Sequence, residues 1–195
     1  MTFRGSSLAR LGRVLVRVAR DRRAVSAVEF ALLLPVMLTL FIAGNELSQA
    51  LTIYRKVSHT GSALGDLVSQ VGTIATADMT NILAAATAIM TPYDASGVQL
   101  VVSAVNYTTT SGFKTAWSVG QNTSAWTVGS APPITIPSGL VSNDQQLIVT
   151  RVQYTYTSTF SVFMQNILGG TSITLSDVAY LRPRVTDKIQ YPYPS

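Results

Sequence analysis

Ala24–Gly44 reads AVSAVEFALLLPVMLTLFIAG, and between Arg23 and Arg55 the only charged residues are Glu29 and Glu46. A helix over that interval is about 45 Å long, more than the ~30 Å hydrocarbon core of a bilayer requires. It is expected to cross a membrane and protrude from it. Immediately before it stands an arm carrying Arg4, Arg10, Arg13, Arg17, Arg20, Arg22 and Arg23 against Asp21 alone. An arginine-rich flank of this kind stays on the cytoplasmic side while the far end of the segment crosses, so the remaining chain is predicted to be extracytoplasmic. The net charge of +5 and the pI of 9.7 describe this arm. From residue 25 onward acidic and basic side chains nearly cancel.

Two residues interrupt the apolar run. Glu29 lies near its start, where a carboxylate in lipid is costly and marks a functional position unless it sits at headgroup level. Pro35 removes the hydrogen bond to the Ala31 carbonyl and is expected to kink or loosen the helix, although membrane helices tolerate proline. The arm and Phe30–Gly44 also fit a secretory signal peptide with Ser48-Gln49-Ala50 as a small-residue cleavage site. Against that reading, the arm is long, Glu29 breaks the lead-in, and the helical period continues past the supposed cut. Leu47, Ala50, Leu51, Tyr54, Val57, Gly61, Leu64, Leu67, Val68 and Val71 recur at spacings of three and four, with Arg55, Lys56, His59, Ser62, Asp66 and Gln70 mostly on other faces. One long helix is the simpler expectation: its first half in lipid, its second half laying an apolar stripe on the domain that follows.

About 140 residues remain for that domain, enough for one core. Charged residues make up 12% of the chain, against roughly 25% in ordinary globular proteins, which suits a surface that packs on neighbours. There is no cysteine, so disulfides, thiolate metal sites and thiol nucleophiles are excluded. A nucleic-acid partner would need a basic face on the folded domain, and this domain is neutral.

Thr76–Met90 reads as a second helix, with Thr76 or Thr80 as cap, Ile82, Leu83, Ala86, Ile89 and Met90 as apolar face, and Pro92 beyond its end. After Gly97 the period becomes two. Val98–Thr108 and Phe113–Val119 are predicted strands joined by Thr109–Gly112; Ile148–Tyr156 and Ile173–Leu181 are a third and fourth, in an antiparallel sheet. Phe160–Leu168 is expected to form one or two helical turns ended by Gly169-Gly170, and Gly129–Gly139, with three prolines, an irregular loop. Of the aromatic residues, those that alternate on strands, such as Trp117, are expected in the core, and Tyr191 and Tyr193 in an exposed Pro-rich tail. The order of elements predicts an α+β layer with the long helix on a small sheet.

Catalytic chemistry finds little support. A hydrolase needs a nucleophile, a base and an orienting acid, yet the one histidine, His59, falls on the polar side of a helix with no DxD, HxH or GxSxG nearby. The aspartates are scattered as expected of caps and turns, and no metal-ligand cluster stands out. Gly169-Gly170-Thr171 lacks the lysine of a phosphate loop. A signal-anchored periplasmic enzyme or ligand-binding module would require a deep polar pocket with converging titratable groups.

The stretch Arg22–Gln70, RRAVSAVEFALLLPVMLTLFIAGNELSQALTIYRKVSHTGSALGDLVSQ, resembles the TadE-like family, minor pilins or pseudopilins of tight-adherence (Flp-type) type IV pili. The basic flank, the AVEFAL block with Glu29, Pro35 six residues later and Glu46 at the far end of the apolar run carry the resemblance. The closing Tyr180–Val185, YLRPRV, is similar to the end of longer members. The resemblance implies a prepilin peptidase that cuts on the cytoplasmic side so that the glutamate becomes the fifth mature residue, here between Ala24 and Val25. Family leaders usually end in Gly, and Ala24 departs from that. It further implies a leader 1–24, a transmembrane helix 25–54 and a pilin-like domain 55–195. Glu29, Pro35 and Glu46 would serve assembly, with the chain in a bacterial inner membrane, its domain periplasmic, and extracellular in a finished pilus. The implied partners are the peptidase, other pilins, pilus assembly proteins and the lipid bilayer, with no cofactor, nucleic acid or small-molecule substrate. The alternative is a bitopic protein that keeps its leader and acts as an assembly or scaffold factor of the pilus machine.

Overall fold

A computed structural model describes residues 22–137, 139–158, 165 and 172–192. Helix α1 spans Arg22–Ser69 and passes through Pro35 without interruption. Helix α2 follows at Thr76–Ala88, then a 3₁₀ turn at Ala95–Gly97, and the strands β1 (Val98–Thr108), β2 (Gly112–Gln121), β3 (Gln146–Thr157) and β4 (Ser172–Leu181). The long apolar helix and the four-stranded antiparallel sheet are thus as expected. Of the turn predicted at Phe160–Leu168 only Gln165 is described, and Gly169, Gly170 and Tyr193 lie outside the described residues.

Contacts divide the chain into two compact units, Met1–Leu47 and Ser48–Ser195. In the second, the sheet order is β2-β1-β3-β4 with every pair antiparallel. β1 is rich in β-branched residues and sits inside the sheet, where such side chains pack well on a pleated surface. Its pairing with β2 shifts register between Ala104 and Val105, so Ala104 faces Trp117 while Val105 faces Thr115. This extra residue on β2 is a bulge, which bends a strand and sharpens its twist.

The first face of the sheet carries the main core. Val98, Leu100, Val102 and Ala104 of β1, Trp117 of β2 and Ile148, Val152, Tyr154 and Tyr156 of β3 pack with Ile53, Val57, Leu64 and Val68 of α1 and Met79, Leu83 and Ala86 of α2. The helix comes close because it presents glycine. A Cβ on Gly61 would lie 3.3 Å from the Val152 side chain, and one on Gly65 would meet the Leu181 side chain. The Thr150 hydroxyl, fully buried, donates to the Gly61 carbonyl at 2.8 Å. The stripe that α1 buries is narrower than its sequence period suggests: Val57, Gly61, Leu64 and Val68 are buried, whereas Leu47, Leu51, Tyr54 and Leu67 stay exposed. A helix seated through two glycines is contacted over a narrow strip, and side chains one position off it miss the sheet.

The second face is covered as well. Val101, Val105, Leu147 and Val149 form a cluster with Trp126, Ile136 and Val141 from the β2–β3 connection. The Pro-rich loop Gly129–Gly139 therefore contributes core, which period-based reading of strands misses because a loop has no period. Ser118 fastens the start of the β2–β3 connection: its hydroxyl accepts from the Ser103 hydroxyl at 2.6 Å and from the Trp126 amide at 2.9 Å.

Helix α2 differs in its cap. Ala75 occupies the position before the first helical residue and makes no side-chain cap bond, while the Thr80 hydroxyl donates back to the Thr76 carbonyl. Its other end is closed by Lys56 of α1, whose Nζ donates to the Ile89 and Thr91 carbonyls at 3.0 and 2.7 Å. A cation at a helix C-terminus satisfies orphan carbonyls and the helix dipole together.

The segment Ile189–Tyr191 is docked on the domain. The Trp117 indole N–H donates to the Ile189 carbonyl at 2.9 Å, and the Tyr191 ring lies 5.4 Å from the indole. Ile74 donates to the Gln190 carbonyl, and Gln190 to the Gly72 carbonyl. Tyr191, expected to be exposed, is half-buried by this aromatic contact. Prolines and short length suggest a free tail, but the Trp117 indole and the backbone bonds of Gln190 hold this part of it.

Tyr154 is buried beside Tyr93, with the ring centroids 6.4 Å apart. Burial pushes its phenol above the ordinary value, and the Asp94 carboxylate adds to the shift. A phenol whose pKa is raised by folding contributes stability that is present below about pH 10 and is lost as the pH rises through the folded-state value. Tyrosine absorbance titration is expected to show a late-ionising phenol that is absent from Tyr154→Phe, and this variant should lose less stability above pH 10 than the parent chain.

Candidate functional site

Within the first unit, the described side chains from Val25 to Leu47 are almost all exposed. Phe30, Leu32, Leu40 and Phe41 stand out from the helix, Phe41 to 75%. The segment is apolar all round, with a mean hydropathy of 2.3 over its best window and none of that window buried. A helix apolar on every side belongs in a core or a membrane, and among the described residues nothing buries the most apolar part of this one. Val25–Leu47 is about 35 Å along the axis, enough to cross the ~30 Å hydrocarbon core. Length and composition make it a candidate membrane span.

Glu29 is exposed in this setting, flanked by exposed Val28, Phe30, Leu32 and Leu33. Val25 precedes it by one helical turn on the same face, also exposed. Ala24 is helical in backbone. The geometry thus brings Val25 and Glu29 together and keeps Glu46 apart, about 25 Å along the axis from Glu29. Glu46 is 4% exposed, in contrast to Glu29, and Thr39, Ile42 and Glu46 recur at three and four residues as the covered side chains of this stretch. Pro35 lies on a different face from Glu29, and its carbonyl accepts from the Thr39 hydroxyl at 2.7 Å.

Several residues that position this helix were not visible in the sequence pattern. The segment after β4 closes its C-terminal end: the Arg184 amide donates to the Ser69 carbonyl at 2.9 Å, and the Arg184 guanidinium pairs with Asp66 at 2.6 Å. Arg182 donates to the Leu140 carbonyl. The YLRPRV ending therefore works as a clasp, with Leu181 over Gly65, Arg184 on the helix end and Arg182 on the loop of the second cluster. A motif-level reading flagged these residues without revealing what they touch.

The Asp94 carboxylate is held below its ordinary pKa by hydrogen bonds from the Ser96 hydroxyl and amide, as a turn cap. His59 is exposed on α1. Among the described residues no group of three or more His, Cys, Asp or Glu is placed to hold a metal ion.

Comparison with known proteins returns one family. Its model, described as TadE-like protein, matches residues 24–63, beginning at Ala24 and covering the apolar helix with Glu29, Pro35 and Glu46. Among curated proteins and among solved structures, nothing matches the chain. The similarity to the TadE-like family thus covers residues 24–63, in the helix that carries the exposed glutamate.

Proposed function

We propose that this chain is a minor pilin, or pseudopilin, of a tight-adherence type IV pilus. The arginine arm stays in the cytoplasm, α1 anchors the chain in the inner membrane, and the sheet domain faces the periplasm. A prepilin peptidase cuts between Ala24 and Val25, and the mature helix packs among other pilins in a filament that serves surface adhesion. The observation that carries this reading is the exposed Glu29 one turn beyond Val25, on an apolar helix within the TadE-like segment.

The chemistry follows from cleavage. Cutting before Val25 frees an α-amino group whose ordinary pKa of about 7.7–8.0 leaves it mostly protonated at neutral pH. Glu29, on the same face, then has an ammonium to meet, either its own or that of an adjoining subunit. A carboxylate in the bilayer costs roughly 2.5–3.5 kcal/mol or more when unpaired, so pairing rewards correct register between subunits. Glu29 acts as a matching group, and Pro35 and Glu46 shape and position the same helix for assembly. The family is one of structural pilins, and the function assigned to this chain is structural, not enzymatic.

Orientation is open to a direct test because the chain has no cysteine. A single cysteine introduced as Thr110→Cys, at the exposed hairpin tip, should react in intact spheroplasts with a membrane-impermeant maleimide. Ser7→Cys in the arm, expressed in cells that lack the prepilin peptidase so that the arm is retained, should react only after the membrane is broken. Labelling of Ser7→Cys in intact spheroplasts, or protection of Thr110→Cys, contradicts the orientation.

A further inference from the structure

On the second face of the sheet a cleft of about 340 Å³ opens between the strands and the β2–β3 connection. Gln99 of β1 and Arg151 and Gln153 of β3 line one side; Thr123, Trp126 and Thr127 of the loop line the other. Its volume falls in the ~300–1,000 Å³ range of small-ligand sites. Gln99 and Gln153 are register partners across β1 and β3, and Arg151 is paired with Val101 next to them, so three long polar side chains rise from adjacent positions of one sheet surface. Trp126, only 8% exposed, is fixed in the second core cluster and gives the cleft a rigid apolar wall.

Arg151 is the only charged residue in this lining. It is half-buried, and among the described residues its guanidinium has no hydrogen-bond or ion-pair partner. A partly desolvated guanidinium with five unspent donors in a fixed fork suits a bidentate carboxylate. The carboxamides of Gln99 and Gln153 and the hydroxyls of Thr123 and Thr127 offer both donors and acceptors around it.

We propose that this cleft binds a carboxylate-bearing sugar, a uronic acid unit of an acidic polysaccharide. Arg151 holds the carboxylate, the two glutamines and the threonine hydroxyls engage ring hydroxyls, and Trp126 backs the sugar ring. A lone carboxylate would use only the guanidinium, whereas the ring hydroxyls of a uronate can also engage the amides and hydroxyls around it. The lining is neutral apart from Arg151, which suits a ligand carrying one charge per ring better than a phosphate-rich one. The site lies wholly within Ser48–Ser195 and does not depend on how the helix is processed or assembled.

The test uses the full chain in detergent micelles, titrated with a glucuronic-acid disaccharide, its neutral glucose analogue, acetate and a glutamate-containing peptide, and followed by ¹⁵N shifts of the Arg151, Gln99 and Gln153 side chains. The uronate disaccharide should bind with a dissociation constant of about 1 mM and weaken with added salt. The neutral sugar and acetate should each bind about tenfold more weakly, and Arg151→Gln, checked to unfold at the same temperature as the parent chain, should lose about tenfold in uronate affinity. Equal affinity for the neutral sugar, unchanged binding by Arg151→Gln, or no binding of uronate at tens of millimolar overturns the proposal. Tighter binding of the acidic peptide than of the uronate overturns the ligand class.

Discussion

Glu29→Ala is expected to insert into the membrane at the level of the parent chain and to be missing from sheared filaments. The apolar run loses a charge by this change, so insertion has nothing to lose. Assembly loses the acceptor of the Val25 ammonium. Removing one member of a desolvated charge pair strands the other at a cost of about 3–5 kcal/mol. Since each ~1.4 kcal/mol is tenfold in an equilibrium constant, association between subunits should fall by about two to three and a half decades. Glu29→Gln keeps the shape and most of the polarity but not the charge, and should fail as well; Glu29→Asp, with the charge set back by one methylene, should retain part of the activity. Immunoblots of membrane and sheared-filament fractions read all three. Normal incorporation of Glu29→Ala would remove the proposed role of this carboxylate.

The second large effect concerns the domain. Trp117→Ala deletes a side chain that is 6% exposed in the main cluster, removes the donor to the Ile189 carbonyl and leaves Tyr191 without its ring partner. Large-to-small changes at buried aromatic positions cost about 3–5 kcal/mol, a large fraction of the stability of a single domain. Thermal unfolding of the detergent-solubilised chain should drop sharply, and limited proteolysis should cut first in the segment 186–192. Trp117→Phe keeps the ring contact but not the N–H, and should cost about 1–3 kcal/mol for the stranded carbonyl plus the lost volume. If Trp117→Ala leaves both unfolding and proteolysis unchanged, the clamp on the C-terminal segment is not what the contacts imply.

What was legible beforehand divides along a physical line. Elements whose signal is local came through: the apolar run from Val25, the period of two in Val98–Thr108, and the alternation of Ile148, Val152, Tyr154 and Tyr156 against Arg151, Gln153 and Thr155. Properties that depend on distant partners did not. Lys56 looks like a solvated face residue until α2 is found to end beside it. Leu51 and Tyr54 belong to the helical stripe by spacing, yet they stay exposed while Ile53 and Val57 take the buried positions. Ile136 and Val141 reach a second core from an irregular connection, and Tyr191 is held by Trp117 across more than seventy positions of chain. At the candidate site the residue types were legible and their burial was not: nothing in the pattern separates Glu29, exposed, from Glu46, buried.

That contrast sharpens the account of α1. On the proposed function, a carboxylate kept in the open on an apolar helix would await a partner, and the ammonium created by removal of the arm would be that partner. Leu47, Leu51 and Tyr54 extend the exposed apolar surface beyond the apolar run, consistent with a helix that packs on its neighbours along more than its lipid-spanning part.

The central claim, that the arm is cut away and the helix enters a filament, is tested most directly by mass spectrometry of this chain recovered from sheared pili. The predicted N-terminal peptide starts at Val25, with Glu29 as its fifth residue. Recovery of the chain solely from membranes, with the arginine arm still attached to Ala24 and Val25, would contradict the claim and leave a membrane-bound assembly factor in its place.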